Sequence, residues 1–296
     1  MCGIAGILSA DTAQITQGRL EQMTSSLAHR GPDGGGIWIS GSGMAGLGHR
    51  RLSIIDLSPA GDQPMHYLGR YTIIHNGEIY NYPELRSLLR TKGYTFTSQT
   101  DTEVILAAYA HFGADCLQYF DGMFAFAIWD STEDRLFLAR DRFGEKPLFF
   151  YRDSERLLFA SELKALWAAG IKKEINPRML FNFLTIGYTQ NPGDGFETFF
   201  RDISKLPPRS WLYYYPSTGR METATWWDIE PGQTKTIKEE SAVDTFCDLL
   251  YTSVKRRLRS DVRVGTSLSG GLDSSSVVAC ILRQKEAPEG LPTFSA

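Results

Sequence analysis

The sequence has the length and composition of an ordinary globular protein with room for one large domain and a smaller one. It contains 296 residues, of which 42% are hydrophobic, 12% aromatic and 22% charged. A formal net charge of -3 gives no electrostatic reason to expect nucleic acid or an anionic membrane as a partner. We therefore expect the partners to be small molecules.

The four cysteines do not form a pattern typical of disulfides or of metal binding. They lie at positions 2, 116, 247 and 280, and no two of them have C-x-x-C spacing. The N-terminus lacks the basic segment and apolar stretch of a signal peptide, and the longest apolar run, at 123–129, is shorter than the roughly 20 residues that span a bilayer. We expect a cytoplasmic protein, and no metal centre, because the histidines also lack metal-ligand spacing.

The first part of the chain alternates helical and strand patterns. Apolar spacing and end signals predict helices around residues 20–27, 83–93 and 100–113. Strands are predicted at 123–129, 136–139 and 147–151. Because these apolar runs do not alternate with polar residues, both faces of each strand should be covered. Antiparallel sheets with helices outside them suit a layered αββα sandwich.

A change in composition predicts a second unit near the C-terminus. The stretch at 216–237 is polar and rich in turn residues, which indicates a linker between a domain at 2–215 and a second unit at 238–296. An amphipathic helix from Val243 to Val254, a strand at 262–268 and a helix from Ser274 are predicted beyond it. The overall fold class is therefore α+β, with an α/β unit following the sandwich.

The second residue of the chain is a cysteine that aminopeptidase can expose by removing Met1. The Cys2 thiol would then lie beside a free α-amine with a reference pKa of about 7.7–8.0, which can take the thiol proton without a histidine. The same cysteine also fits a small residue at a frayed chain end. Its position alone does not decide between these interpretations.

Six segments in the first 200 residues supply the wider pattern. They are residues 2–7 (CGIAGI), 29–33 (HRGPD), 49–54 (HRRLSI), 76–81 (NGEIYN), Asp101 and 140–144 (RDRFG). In order and spacing they resemble the class II glutamine amidotransferases, which are N-terminal-nucleophile hydrolases. The resemblance implies the αββα fold of that class and hydrolysis of glutamine through a thioester on Cys2.

Two adjacent residues would stabilise the charge that develops during this reaction. Amide hydrolysis through a thioester generates an oxyanion, which preorganised hydrogen-bond donors must meet. By the resemblance, these donors are the Asn76 side chain and the Gly77 backbone N–H. Without it, the Asn-Gly pair would be interpreted as a tight hairpin turn.

The charged ends of free glutamine require a cation and one or two anions. The resemblance assigns the α-carboxylate to Arg51, whose guanidinium offers two parallel hydrogen bonds. The spacing to the following Leu-Ser-Ile favours Arg51 over Arg50, which is predicted to be a surface or loop-binding charge. Glu78 and Asp101 would hold the α-ammonium, although an acid at a helix N-terminus is also favoured by the helix dipole.

A second motif lies at 269–275 (SGGLDSS), between a predicted strand and a helix. Its glycines can bring backbone N–H groups to an anion, and no lysine follows as it would in a Walker A loop. The motif resembles the pyrophosphate-binding loop of the ATP-pyrophosphatase family (adenine nucleotide alpha hydrolase-like fold). The resemblance implies an ATP site formed by Leu268, Ser269, Gly270, Gly271, Asp273, Ser274 and Ser275. A glycine-serine turn without function is the alternative.

The combination of a glutaminase and this loop resembles the glutamine-hydrolysing asparagine synthetases. The resemblance implies L-glutamine, L-aspartate and ATP as substrates, with Mg²⁺ needed by the complete enzyme, and ammonia that passes through an internal channel to an aspartyl adenylate. About two dozen residues follow the loop. We therefore expect the synthetase part to be incomplete, so that this stretch hydrolyses glutamine but does not make asparagine unaided. The sequence leaves a homodimer open.

Two other functions stay open at the level of sequence. A related amidotransferase could amidate another carboxylate, such as a polysaccharide uronic acid, because no residue identified here selects the acceptor. A catalytically idle module that docks onto a partner synthetase is the second, and the retention of Cys2, Asn76 and Arg51 argues against it.

Overall fold

The computed structural model describes residues 1–229, 232, 238–284 and 290–295. The chain divides into two compact units, Met1–Asp228 and Ile229–Ala296. Parts of the predicted linker and of the predicted second domain, at 230–231, 233–237, 285–289 and 296, lie outside the described residues.

The first unit is built around two sheets. Its strands in chain order are β1 Gly3–Ser9, β2 Gly34–Ile39, β3 Ala45–Arg51, β4 Met65–Tyr67, β5 Tyr71–Ile79, β6 Gly122–Asp130, β7 Arg135–Arg140, β8 Phe149–Arg152, β9 Arg156–Ala160, β10 Ile203–Lys205, β11 Ser210–Tyr215 and β12 Arg220–Thr225. Among the described residues, one sheet has the order β10-β8-β9-β1-β3-β2 and the other the order β12-β11-β7-β6-β5-β4. Neighbouring strands in both sheets are antiparallel.

Helices cover the outer faces of these sheets. They are α1 Gln17–Ser26, α2 Tyr82–Thr91, α3 Asp101–Phe112 and α4 Leu163–Ala168, whereas a fifth helix, α5 Pro177–Ile186, is mostly exposed. The first three correspond to the three helices predicted from apolar spacing. Helix α3 begins as its sequence indicates, since the Thr100 side chain accepts a hydrogen bond from the Glu103 N–H.

Strand β6 shows why the apolar runs predicted to be strands do not alternate with polar residues. Phe124 and Phe126 pack in a cluster with buried residues of α2 and α3. Ala125 and Trp129, on the opposite face of the strand, pack in a second cluster between the two sheets. Both faces of β6 are therefore buried, as predicted.

Strand β1 repeats this arrangement in the other sheet. Ile4 and Leu8 belong to the cluster between the sheets, whereas Ala5 and Ile7 pack against Leu20 and other residues of α1 and α4. The layers therefore follow the order helix, sheet, sheet, helix. The predicted αββα sandwich is confirmed.

The first unit extends further along the chain than the sequence predicts. Strand β12, within the predicted linker, pairs with β11 from Ser210↔Thr225 to Tyr215↔Arg220. Trp226 is buried, and its indole Nε1 donates to the Arg140 carbonyl at 3.1 Å. Strand β12 lies at an exposed edge of the sheet and has few apolar residues. Its composition therefore resembles that of a linker. The structure thus differs from the predicted boundary at 215.

The second unit contains the described elements α6 Glu239–Arg257, β13 Thr266–Ser267, α7 Leu272–Leu282 and β14 Thr293–Phe294. Strands β13 and β14 are parallel, with Thr266 opposite Thr293. The strand predicted at 262–268 is thus reduced to two residues, while the helices before and after it are present. No helix among the described residues has the length and apolar character needed to cross a membrane.

Candidate active site

A cavity of about 160 Å³ lies in the first unit beside the N-terminal end of β1. Its lining includes all the residues predicted to act on glutamine, namely Cys2, Arg51, Asn76, Gly77, Glu78 and Asp101. They come from four separate stretches: the residue before β1, the end of β3, the C-terminal part of β5 and the first turn of α3. The sandwich therefore gathers residues that lie up to about 100 positions apart in the sequence.

Antiparallel pairing brings Cys2 and Arg51 together. Strands β1 and β3 pair with Gly3 opposite Arg50, so the start of one strand lies beside the end of the other. Successive residues of a strand point to opposite faces. Arg51 consequently lines the cavity, while the Arg50 Nε donates to the Thr24 carbonyl of α1 at 3.2 Å. This placement agrees with the preference for Arg51 over Arg50.

The Cys2 thiol is half-buried at the cavity wall. Its Sγ accepts a hydrogen bond from the Leu52 N–H at 3.4 Å and lies 3.6 Å from the Leu52 carbonyl oxygen. Burial raises the pKa of this thiol, and the Leu52 N–H opposes that shift. The thiol is therefore protonated near neutral pH and needs a base before it can act as a nucleophile.

Arg30 fixes the backbone of the nucleophile, a role that the sequence interpretation missed. Its Nε donates to the Cys2 carbonyl at 2.9 Å, and its Nη1 donates to Glu162 at 2.9 Å. Arg30 belongs to the HRGPD segment at 29–33, so the motif itself was the available signal. In the same segment, Asp33 accepts the Ser53 N–H at 2.8 Å and so holds the start of the loop after β3.

Asn76 and Gly77 lie within β5, opposite Ala125 and Phe124 of β6, and not in a hairpin turn. Asn76 is fully buried, and neither polar atom of its amide has a hydrogen-bond partner in the described part of the chain. Gly77 has a φ of 153°, and a Cβ there would collide with the Met123 carbonyl oxygen. A buried amide without partners is costly unless a ligand satisfies it, so this amide suits a polar group bound in the cavity.

Two carboxylates, those of Glu78 and Asp101, also line the cavity. The Asp101 Oδ2 accepts the Ile79 N–H at 2.8 Å, and burial raises the pKa of Asp101 to about 7. Burial also raises the pKa of Glu78, against the attraction of the Lys146 ammonium. A bound cation would favour the ionised form of both carboxylates.

Arg51 is partly committed to the chain's own loop. Its Nη1 donates to the Ser58 carbonyl and to Asp62 Oδ1, both at 2.9 Å, and its Nη2 donates to the Asp56 carbonyl. Gly61 packs so closely on the guanidinium that a Cβ at this position would collide with it. A substrate carboxylate that binds Arg51 must therefore share its guanidinium with the loop after β3.

Two buried histidines support β5 behind the cavity. The His49 Nε2 donates to the His75 carbonyl at 3.1 Å, and the His75 Nδ1 lies 3.2 Å from the Thr102 hydroxyl. Burial lowers the pKa of both imidazoles to about 3, so both are neutral near pH 7. Their contacts are those of structural residues, although His75 and Thr102 also line the cavity.

Lys146 is a further cavity residue that the sequence interpretation missed. It follows the RDRFG segment at 140–144, its side chain lines the cavity, and only 5% of the residue is exposed. The buried carboxylate of Asp141 shapes this loop by accepting backbone N–H groups from Phe124, Phe143, Glu145 and Lys146. The available signal was a lysine two residues after a recognised motif.

We predict that Asp141→Ala lowers the free energy of unfolding by about 3 kcal/mol, because four backbone donors lose their shared acceptor in a buried site. Urea unfolding followed by circular dichroism measures this change. The exposed Asp115 provides the control, since Asp115→Ala should alter the free energy of unfolding by less than about 0.5 kcal/mol. Equal stability of the two variants would contradict the assigned role of Asp141.

The residues predicted to bind ATP lie together in the second unit, in the turn between β13 and α7 and at the start of α7. Gly270 has a φ of 80°, and Gly271 is the N-cap of α7. The Leu268 N–H donates to the Phe294 carbonyl at 2.8 Å, and the Leu268 carbonyl accepts from the Ser295 hydroxyl at 2.8 Å. The helix N-terminus suits an anion, whereas both backbone groups of Leu268 are engaged within the chain.

The seryl side chains of this loop contact one another. The Ser274 hydroxyl donates to the Gly271 carbonyl at 3.1 Å and lies 3.2 Å from the Ser269 hydroxyl. Asp273 lies in the first turn of α7, and Ser275 follows one turn into the helix. Across the described ranges, no three His, Cys, Asp or Glu residues are grouped as metal ligands.

The fold and the cavity define a class of protein. Two stacked antiparallel sheets lie between helices, and a cysteine at the start of the chain faces a cavity with buried amide and carboxylate groups. This is the architecture of an N-terminal-nucleophile amidotransferase. A solved structure of glutamine phosphoribosylpyrophosphate amidotransferase from B. subtilis shares the fold, with a TM-score of 0.56, 19% identity, and coverage of 99% of this chain and 65% of that one.

Sequence comparison places the chain within a family. Residues 1–227 match the family described as glutamine amidotransferase domain, and residues 245–296 match the family described as asparagine synthase. The chain belongs to the glutamine amidotransferase family.

Longer relatives match both regions. Asparagine synthetase (glutamine-hydrolyzing) 3 of Bacillus subtilis is 37% identical over 100% of this chain and 48% of its own length. Amidase chry2 of Gibberella zeae is 36% identical over 95% of this chain and 43% of its own length. The chain thus spans about half the length of the curated relatives it matches.

Proposed function

We propose that this chain hydrolyses L-glutamine to L-glutamate and ammonia, with Cys2 as the nucleophile. The observation that carries the proposal is the single cavity that contains the thiol, an unpartnered buried amide and two carboxylates. These groups are of the kinds that the reacting amide and the α-ammonium of glutamine require. Membership of the glutamine amidotransferase family supports the same activity.

The reaction begins after Met1 has been removed. The free α-amine of Cys2 takes the thiol proton, and the sulfur attacks the side-chain amide carbon of glutamine. The oxyanion that forms is held by the Asn76 amide N–H and the Gly77 backbone N–H. The amide nitrogen leaves as ammonia with the transferred proton, and water then hydrolyses the thioester to glutamate.

Three charged residues of the cavity orient free glutamine. Glu78 and Asp101 pair with the α-ammonium, and Arg51 contributes hydrogen bonds to the α-carboxylate. Because Arg51 also holds the carbonyl groups of Asp56 and Ser58, the substrate carboxylate and the loop after β3 share one guanidinium. Glutamine binding is thereby coupled to the position of that loop.

In the whole protein, this ammonia would serve the ATP-dependent amidation of aspartate to asparagine. The match of residues 245–296 to the asparagine synthase family supports this role. ATP would meet the turn from Ser269 to Ser275, where the N-terminus of α7 and Gly270 suit its phosphates. Four points stay predictions: the need of the complete enzyme for Mg²⁺, the inability of this stretch to make asparagine alone, the oligomeric state and the cytoplasmic location.

A different acceptor carboxylate is the second candidate function. Amidase chry2 is about as similar to this chain as the asparagine synthetase of Bacillus subtilis is. The glutaminase cavity takes glutamine in either case and so does not select the acceptor. Asparagine formation from aspartate by the full-length protein distinguishes the two.

Ammonia release from glutamine by the purified chain tests the proposed activity. Mass spectrometry after treatment with the glutamine analogue diazo-oxo-norleucine should show one adduct, on a Cys2 that has become the first residue. A chain that binds glutamine in a thermal-shift assay but forms neither ammonia nor an adduct would instead be the idle docking module.

We predict that the affinity for glutamine falls as the pH drops below about 7, because the raised pKa of Asp101 lies there. The ammonium of glutamine binds the ionised carboxylate, so protonation of Asp101 competes with substrate and raises KM. Steady-state kinetics across the pH range measure this effect. In Asp101→Asn, KM should be raised at every pH and the acidic rise in KM should be reduced. A KM that is independent of pH in the unmodified chain would contradict this prediction.

A further inference from the structure

The first residue of the processed chain lies outside the strand ladder and needs another anchor. Strand β1 begins at Gly3, which pairs with Arg50 of β3, so Cys2 precedes the paired residues. The ends of a chain fray unless other groups hold them. Removal of Met1 makes Cys2 such an end but leaves its carbonyl unchanged. The hydrogen bond from the Arg30 Nε to this carbonyl, at 2.9 Å, can therefore form in the processed chain as well.

Two consecutive residues after β9 hold this end of β1. The hydroxyl of the fully buried Ser161 accepts the Ile4 N–H at 3.0 Å, and the Ser161 N–H donates to the Ile4 carbonyl at 2.9 Å. The next residue, Glu162, accepts a hydrogen bond from the Arg30 Nη1 at 2.9 Å. Ser161 thus fixes the backbone two residues beyond the nucleophile, and Glu162 fixes the side chain that contacts the nucleophile's own carbonyl.

The Glu162 carboxylate is itself held at both oxygens. Its Oε1 also lies 2.9 Å from the His29 Nε2, and its Oε2 lies 3.1 Å from the Lys164 ammonium. Burial by itself would raise the pKa of Glu162, but hydrogen bonds from Arg30, His29 and Lys164 lower it to about 2. Only 9% of the Arg30 side chain is exposed, so its pair with Glu162 is better shielded from water than an ordinary surface pair.

A capping role does not account for these contacts. Glu162 is the N-cap of α4, a position where a side-chain oxygen can accept an N–H of the first turn. In the described first turn of α4, none of the N–H groups is bonded to the Glu162 side chain. The carboxylate contacts Arg30, His29 and Lys164 instead.

We propose that Glu162 is a positioning residue for glutamine hydrolysis: it holds Arg30, and Arg30 holds the Cys2 carbonyl, so that the terminal residue keeps one orientation toward the cavity. The proposal rests on the glutaminase activity proposed above. Among the described residues, neither Glu162 nor Arg30 lines the cavity. The two residues therefore act on the attack of the thiol and not on the binding of glutamine. A misplacement of reacting groups by about 1 Å can lower a rate by about 10²-fold.

The test replaces the carboxylate in the full chain. Glu162→Leu removes both acceptor oxygens and should lower kcat about tenfold, while the KM for glutamine stays within about twofold. Glu162→Gln keeps one oxygen for Arg30 and should retain kcat within about threefold. Glu155→Leu is the matched control, because Glu155 is exposed beside the other end of β9, and it should leave both constants unchanged. Glu162→Ala replaces the Leu variant if the latter does not fold.

A double-mutant cycle separates this positioning role from a general loss of stability. If Glu162 acts through Arg30, the combination of Arg30→Met and Glu162→Leu should lower kcat no further than Arg30→Met does alone. Independent effects would multiply. An unchanged kcat in Glu162→Leu, a rise in KM as large as the fall in kcat, or multiplied losses in the double variant would each overturn the proposal.

A further readout does not depend on hydrolysis. Hydrogen exchange of the N-terminal peptide, residues 2–8, followed by mass spectrometry, should be about tenfold faster in Glu162→Leu and in Arg30→Met, and unchanged in Glu155→Leu. Equal exchange in Glu162→Leu and the unmodified chain would also count against the role of Glu162. An unmodified chain that releases no ammonia would refute the glutaminase activity, while the exchange comparison would still show whether Glu162 holds the start of β1.

Discussion

Replacing Cys2 with alanine is expected to abolish ammonia release from glutamine, with kcat lowered by at least about 10⁴-fold. Loss of a nucleophile removes the covalent route entirely and leaves only the weak effect of bound donors on attack by water. The cavity around Cys2 is formed by strands and loops that do not depend on the thiol, so the fold and glutamine binding should persist. Ammonia release, with thermal-shift binding of glutamine, measures both properties.

Cys247→Ala is the matched control, because this cysteine is exposed on α6 in the second unit. It should retain full glutaminase activity. A chain that keeps Met1 should behave like Cys2→Ala, since its Cys2 nitrogen is an amide and cannot take the thiol proton. Glutamine hydrolysis that survives in Cys2→Ala, or in a chain shown by mass spectrometry to retain Met1, would refute the proposed mechanism.

Asn76→Ala is expected to lower kcat by about 10²–10³-fold, the usual effect of removing one oxyanion-hole donor. The KM for glutamine should change much less, because the charged ends of the substrate are held by Arg51, Glu78 and Asp101. The fully buried, unpartnered amide of Asn76 supports this division of roles. Steady-state kinetics separate the two constants.

Asn191→Ala is the control for this substitution, since Asn191 is partly buried, donates to Glu197 and does not line the cavity. Its kinetic constants should match those of the unmodified chain. A variant of Asn76 with an unchanged kcat and a raised KM would show that the amide binds substrate in the ground state and does not act in the transition state.

The sequence predicted the layered fold because its signals were local. Apolar spacing in α1 and the cap at Thr100 specify helices without reference to distant residues, and the continuous apolar run that became β6 indicated burial on both faces. The predicted end of the first unit, at residue 215, differs from the structure because that prediction also used only local signals. Strand β12 lies at an exposed edge, and its membership of the sheet depends on pairing with β11, which composition does not reveal.

The sequence by itself determined the types of residue at the site and their order, since its motifs predict Cys2, Arg51, Asn76, Gly77, Glu78 and Asp101, all of which line the cavity. Tertiary structure alone decided how each group is used. Arg30 reaches the Cys2 carbonyl and Lys146 reaches Met1 through contacts between residues far apart in sequence, and Arg51 is bound by its own loop. Burial, which raises the pKa of Asp101 and lowers that of Lys146, is likewise a property of the folded chain.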